Sequence, residues 1–348
     1  MKKKLVAILT AATMMVAFVP GLAMATGNPS KSVKVTFSAG TESHVDAAME
    51  DITASADTAE KYFPEIKDNE PEGVSFADVI TQAHVEKYGA DKVKDYLQID
   101  NSQYGTSMAK LYGHAKVGFY YVNDKALQIG VSEEVKDGDS LFAGAYEDAD
   151  ANWAAIYGKT DKKTVNTTPG KEVTLKVDAV LFDGSTAVPD QAEVNLVSVK
   201  DEKLTPVKGT YKDGKVTFSL KDAGEQFVYV TGKVTYEGFY GKTTGGLAGA
   251  LAKINVKLAK TKITSKKAGK KKATLKWKKV AGAKKYQVFM SSKKKGKFKK
   301  AMTVKTTKAT VKKLKKGKAY YFKVRACAKN AGKEINGAFS KTVKIKVK

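Results

Sequence analysis

Three kinds of residue are nearly missing from this 348-residue chain: it has one cysteine, Cys327, one arginine, Arg325, and three histidines. One cysteine excludes an internal disulfide, so the fold rests on its core alone. No Cys-x-x-Cys, His-Glu-x-x-His or Gly-x-Ser-x-Gly spacing occurs, and no EF-hand loop. His44, His84 and His114 are scattered, and His84 falls at the flank of a helix's apolar face, a boundary position and not a ligand. Cys327 follows Ala326 with no histidine or asparagine partner in view, so it reads as a covered thiol. Near-absence of arginine removes the planar fork that reads bases and phosphates bidentately.

Lysine fills that gap. The chain carries a formal charge of +26, placed very unevenly. Residues 259–348 hold 32 lysines, Arg325 and a single acid, Glu334; residues 26–258 carry a net −9. A lysine-only surface attracts polyanions in bulk through counterion release and does not read sequence. Solubility alone asks for a net charge on the order of 2–8 on a small domain. The excess repels itself and calls for a compensating partner.

The start of the chain addresses a compartment. Lys2, Lys3 and Lys4 precede an apolar run from Leu5 to Val19, then Pro20-Gly21 and small residues at Ala23 and Ala25. This is the layout of a secretory signal peptide cleaved after Ala25, and the run is short for a membrane span. The chain is therefore expected to be secreted and extracellular, wall-associated and free of the membrane after cleavage.

Three segments follow. Residues 28–157 open with a strand in which Val33, Val35 and Phe37 alternate with polar residues. Ser75 and Asp78 form a capping box before Phe76, Val79, Ile80 and Ala83 at helical spacing, and a second short helix fits Ala90–Leu97. Asn123-Asp124 and Asp137-Gly138 are turns between later strands. The class is α+β. The stretches "SFADVITQAHVEKYG", "YYVND" and "VKDGDSL" resemble the transcobalamin C-terminal-like domain of bacterial surface proteins. That likeness implies a small ligand of corrinoid type as an alternative function, without assigning any contact residue. Glu147, Asp148 and Asp150 form an acidic group that reads as a solvated loop.

Residues 158–171 are polar and read as a linker. In 172–258, Val173, Leu175, Val177, Ala179 and Leu181 alternate, as do Val216, Phe218 and Leu220, with turns at Asp183-Gly184 and Asp213-Gly214. Short strands at this spacing argue for an all-β sandwich, similar to bacterial immunoglobulin-like or prealbumin-like modules. "TTGGLAGALAK" (243–253) lacks the Walker order and reads as a loop.

In 260–348, Leu275 and Trp277 share one strand face and Tyr286 and Val288 the next. Leu314 is followed six residues on by Tyr320, then Phe322, Val324 and Ala326. This pattern resembles a fibronectin type III domain, which implies Trp277 and Tyr286 in the core and Tyr320 as a tyrosine corner. Lys316-Gly317 stands where that family often has Pro-Gly. Lys276, Lys278 and Lys323 take outward positions, and the remaining lysines crowd the turns. The expected architecture is thus multi-domain, an α+β domain followed by two all-β sandwiches, with no cofactor or metal and no catalytic constellation. Lys293, Lys294, Lys295, Lys299, Lys300, Lys312, Lys313, Lys315 and Lys316 are expected to hold an anionic wall polymer or another extracellular polyanion collectively. Sequence-specific nucleic-acid recognition is not expected.

Overall fold

The computed structural model describes residues 30–39, 44–69, 71–102, 105–115, 117–145, 155–198, 203–238 and 241–348. Most of them lie in strands. The expected cleavage residues Ala23 and Ala25, and Glu147, Asp148 and Asp150, lie outside the described residues.

The N-terminal part begins with β1 (Ser30–Ala39) and β2 (His44–Ser55), an antiparallel pair. Helices α1 (Thr58–Tyr62), α2 (Phe76–Tyr88) and α3 (Val93–Tyr96) follow. Then come the hairpin β3 (Gln98–Ser102) and β4 (Gly105–Lys110), and β5 (Val117–Val122), β6 (Lys125–Ala126) and β7 (Ser140–Ala145). The sheet order is β2-β1-β7-β5-β6, with β1 and β7 parallel. Parallel neighbours need a long crossover, and the helices occupy it. The capping box is formed: Ser75 Oγ accepts from the Asp78 amide at 3.0 Å, and Asp78 accepts from the Ser75 amide at 2.9 Å. Asp78 also accepts from the Ala59 amide at 2.7 Å, tying α1 to α2. Burial raises its carboxyl above the usual range, against the pull of these amides.

The middle part is all β. It contains β8 (Ala155–Thr160), β9 (Thr164–Thr167), β10 (Glu172–Val180), β11 (Thr186–Ala187), β12 (Gln191–Val197), β13 (Leu204–Val207), β14 (Gly209–Lys212), β15 (Lys215–Ser219), β16 (Gly224–Gly238), β17 (Gly241–Ala248) and β18 (Leu251–Val256). Strand β10 serves two partners: Glu172–Lys176 pair with β15, and Val177–Val180 pair with β8. Its alternating Val173, Leu175, Val177 and Ala179 are all buried in one core with Val216, Phe218, Val228 and Ile254.

Two boundaries differ from the sequence reading. Residues 158–171 are not a linker, because β8 and β9 run through them and β9 pairs in parallel with β18. Residues 155–157, expected in the first segment, belong to the middle sheet, where they pair with β17. The glycine-rich 243–253 stretch is not a loop but the strands β17 and β18 around Gly249. Alanine and glycine carry little strand propensity; their role here is close approach. Gly249 has φ +91°, and a Cβ there would lie 2.6 Å from the Tyr157 ring.

The C-terminal part is a two-sheet sandwich. Strands β19 (Ile263–Gly269), β20 (Lys272–Trp277) and β23 (Lys308–Val311) form one sheet. Strands β21 (Lys285–Ser291), β22 (Lys299–Val304), β24 (Ala319–Asn330), β25 (Lys333–Asn336) and β26 (Val343–Lys346) form the other. Ala273, Leu275 and Trp277 meet Tyr286, Val288, Phe322, Val324 and Ala326 in one buried cluster. Among the described residues no helix is long and apolar enough to cross a membrane.

Candidate functional site: a lysine pole on the C-terminal sandwich

Trp277 and Tyr286 are buried in the sandwich core, and Tyr320 is half-buried against it. Trp277 and Tyr286 lie with ring centroids 5.4 Å apart, and the Tyr286 hydroxyl accepts from the Val280 amide at 2.9 Å. The Tyr320 hydroxyl accepts from the Lys315 amide at 3.2 Å. That bond ties the β24 tyrosine to the turn before the strand. Gly317 takes φ +76° in this turn, and its amide donates to the Val347 carbonyl at 2.9 Å.

Strand pairing then sets where the turns fall. Ser291, at the end of β21, pairs with Tyr321 near the start of β24, and Tyr321 pairs with Lys344 of β26. The turn carrying Lys293, Lys294 and Lys295 therefore leaves the sheet level with the turn carrying Lys312, Lys313, Lys315 and Lys316. Lys299 and Lys300 open β22 beside the first turn. All nine side chains are exposed. Sequence separation hid this: the two clusters lie about twenty positions apart, yet share one pole.

The pole also gathers lysines the sequence reading did not single out. Lys270 and Lys271 sit in the β19–β20 hairpin turn. The Lys271 carbonyl accepts from the Leu314 amide at 3.0 Å, and the Lys271 amide donates to the Lys348 carbonyl at 3.1 Å. Lys344 and Lys346 arrive on β26. The signal for the hairpin was available, since a glycine and a lysine triplet separate two alternating runs.

The single acid lies away from this pole. Glu334, on β25, accepts from Lys285 Nζ at 2.6 Å and from Gln287 Nε2 at 3.1 Å. The hydrogen bond from Lys285 holds its carboxyl below the usual range. The same end of the sandwich meets the middle part: Lys284 Nζ lies 3.4 Å from Asp222, and Asn330 donates to the Glu225 carbonyl at 3.4 Å. Strand β24 runs from the lysine pole to this junction, about 35 Å at the usual rise per residue. The turns carrying the nine lysines thus lie at the end of the sandwich remote from this junction.

Lys323 and Arg325 are different. Lys323 Nζ stands 4.6 Å from the Phe298 ring centroid and 4.0 Å from that of Phe339, while Arg325 lies over Phe289 and Phe339. Both are half-buried on aromatic faces. Cys327 is 0% exposed, as expected of a covered thiol, and donates to Asn336 Oδ1 at 3.1 Å.

The histidines depart from expectation. His84 is not a boundary residue but 0% exposed. Its Nδ1 lies 2.8 Å from the Ile80 carbonyl, and its Nε2 accepts from the Tyr112 amide at 2.9 Å. His114 is brought to the same neighbourhood, 3.4 Å from Asp46 and stacked on Phe37. Among the described residues no group of three His, Cys, Asp or Glu side chains is placed to hold a metal ion.

No protein-family model and no curated protein matches the chain. Solved structures similar to it contain fibronectin type III domains. A two-domain segment of chicken tenascin is 17% identical, covering 51% of this chain and 93% of that one, with a TM-score of 0.35. A fibronectin type III domain from a human protein is 22% identical, covering 26% and 72%, with a TM-score of 0.21. A fibronectin type III-like protein from Clostridium thermocellum is 28% identical, covering 22% and 85%, with a TM-score of 0.19.

Proposed function

We propose that this is a secreted, non-catalytic surface protein whose C-terminal sandwich holds it electrostatically to an extracellular polyanion, the phosphate-rich polymer of a bacterial cell wall. The observation that carries this reading is the assembly of several lysine-bearing turns at one pole, remote from Glu334 and from the junction with the middle part. Mobile ammonium groups suit a flexible polymer of regularly spaced phosphates, because each contact releases counterions and none requires fixed geometry. The leader-like first 25 residues support export. The likenesses of 32–157 to transcobalamin C-terminal-like domains and of 172–258 to immunoglobulin-like modules support a presenting or ligand-binding role for those parts.

The test is sedimentation of the chain from residue 26 onward with purified walls, with and without their anionic polymer, across a salt series. Binding that requires the polymer and weakens steeply with salt supports the reading. Binding indifferent to salt or to the polymer overturns it, as would total loss from one lysine substitution.

A further inference from the structure

A recess lies in the middle part, independent of the lysine pole. Strands β13 and β14 are joined through Lys208, and there the chain crosses from the sheet holding β12 to the one holding β15. A cavity of about 420 Å³ opens beside this connection, lined by Gln191, Glu193, Asn195 and Thr231 of the paired strands β12 and β16 and by Tyr211 of β14. A second recess of about 290 Å³ shares Glu193 and Tyr211 and reaches Val194 and Val216 of the core.

The lining is amphipathic in an ordered way. Tyr211 is half-buried and fixed by its hydroxyl, which donates to the Pro189 carbonyl. Its ring supplies an apolar wall. Around it stand two primary amides, a carboxylate and a hydroxyl. Asn195 and Thr231 are buried, and Asn195 Nδ2 donates to Thr231 Oγ1 at 3.0 Å. That bond leaves the Asn195 carbonyl oxygen to accept and the Thr231 hydroxyl hydrogen to donate. Gln191 and Glu193 are exposed at the mouth. Each amide or carboxylate offers two polar atoms side by side, the spacing of neighbouring hydroxyls on a sugar ring. A pyranose presents an apolar C–H face and an equatorial belt of hydroxyls, which fits an aromatic wall with such a rim. Glu193 at the mouth disfavours an anionic ligand.

We propose that the groove between β12 and β14 binds a neutral saccharide. The ring stacks on Tyr211 and its hydroxyls bond to Gln191, Glu193 and Asn195. The test is calorimetry and saturation-transfer NMR on the full chain with chitotetraose, cellotetraose, mannotetraose and, as the anionic control, a heparin tetrasaccharide. At least one neutral tetraose should bind saturably, with Kd on the order of 0.1–1 mM and no dependence on salt. Binding should fall tenfold or more in Tyr211→Ala and in Glu193→Lys. Glu193 is exposed, so the second variant keeps its fold, and a thermal melt checks the first. No binding by any neutral tetraose at about 10 mM overturns the proposal. So does binding that both variants leave intact, or preference for the heparin fragment. None of these outcomes depends on wall attachment, since the lysine pole is unchanged in every variant.

Discussion

The Tyr157 hydroxyl donates to the Asp124 carboxylate at 2.5 Å, joining a residue of the middle sheet to the β5–β6 turn of the N-terminal part. Lys163 Nζ reaches the same oxygen at 2.8 Å. Burial alone would raise the Asp124 carboxyl, but the hydrogen bond and charge of Lys163, with the Tyr157 hydroxyl, hold it below the usual range. Tyr157, buried beside that carboxylate, is pushed well above the ordinary phenol and stays neutral. The Tyr157 ring lies in one cluster with Phe119, Tyr121, Phe142 and Ala248. Asp124→Ala leaves a buried phenol and an ammonium without their acceptor, and should cost about 2–4 kcal/mol in urea unfolding. In a double-mutant cycle with Tyr157→Phe the two losses should fall short of additive by at least about 0.5 kcal/mol; strict additivity would remove the coupling.

Gly249→Ala should destabilise the same junction. The added Cβ meets the Tyr157 ring at 2.6 Å and Phe142 at 3.0 Å, and the backbone sits at φ +91°. The strained backbone and overpacking together should lower stability by about 2–4 kcal/mol. Thermal melting reads this directly, and an unchanged Tm would contradict the packing described.

His84 predicts a pH dependence. Burial lowers its pKa from 6.5 to about 4, against the pull of the Ile80 carbonyl. The folded state therefore holds the ring neutral where the unfolded state is protonated. Stability from this group is full above pH 6.5 and is lost as pH falls from 6.5 towards 4, by at most about 3 kcal/mol. His84→Gln should flatten that slope in chemical denaturation between pH 7 and 4.5, while lowering stability at pH 7. An unchanged slope would contradict the assignment.

Tyr320→Phe removes the acceptor of the Lys315 amide and should cost about 1 kcal/mol of stability. Because no charge is lost, wall binding should persist at temperatures below the melt. A large loss of binding without unfolding would place Tyr320 in contact with the polymer.

Reversing Lys312, Lys313, Lys315 and Lys316 to glutamate together should move the two properties in opposite directions. Polyanion affinity should drop by roughly a hundredfold or more near 0.1 M salt. The melting temperature should hold or rise as self-repulsion falls. A drop in both would mean that these lysines support the fold.

Much of the local structure was legible because its causes are local. The Ser75–Asp78 box, the alternating cores of β10 and β24, and the Asn123-Asp124 turn each depend on residues within a few positions. Strand β2 was not read, because its buried set is irregular and its register with β1 shifts twice. The 243–253 stretch misled because close packing against Tyr157, a long-range constraint, selects glycine as readily as a loop does.

The sequence alone determined the charge of the C-terminal part, its lysine-for-arginine character and the alternation that makes it a sandwich, since composition and period-two patterning need no partner. Only the tertiary structure decided that separate lysine turns share one pole, that His84 is enclosed, and that Tyr211 of β14 faces the polar side chains of β12 across a recess. Strand register and connection path are set by contacts between residues far apart in the chain, and no local pattern encodes them.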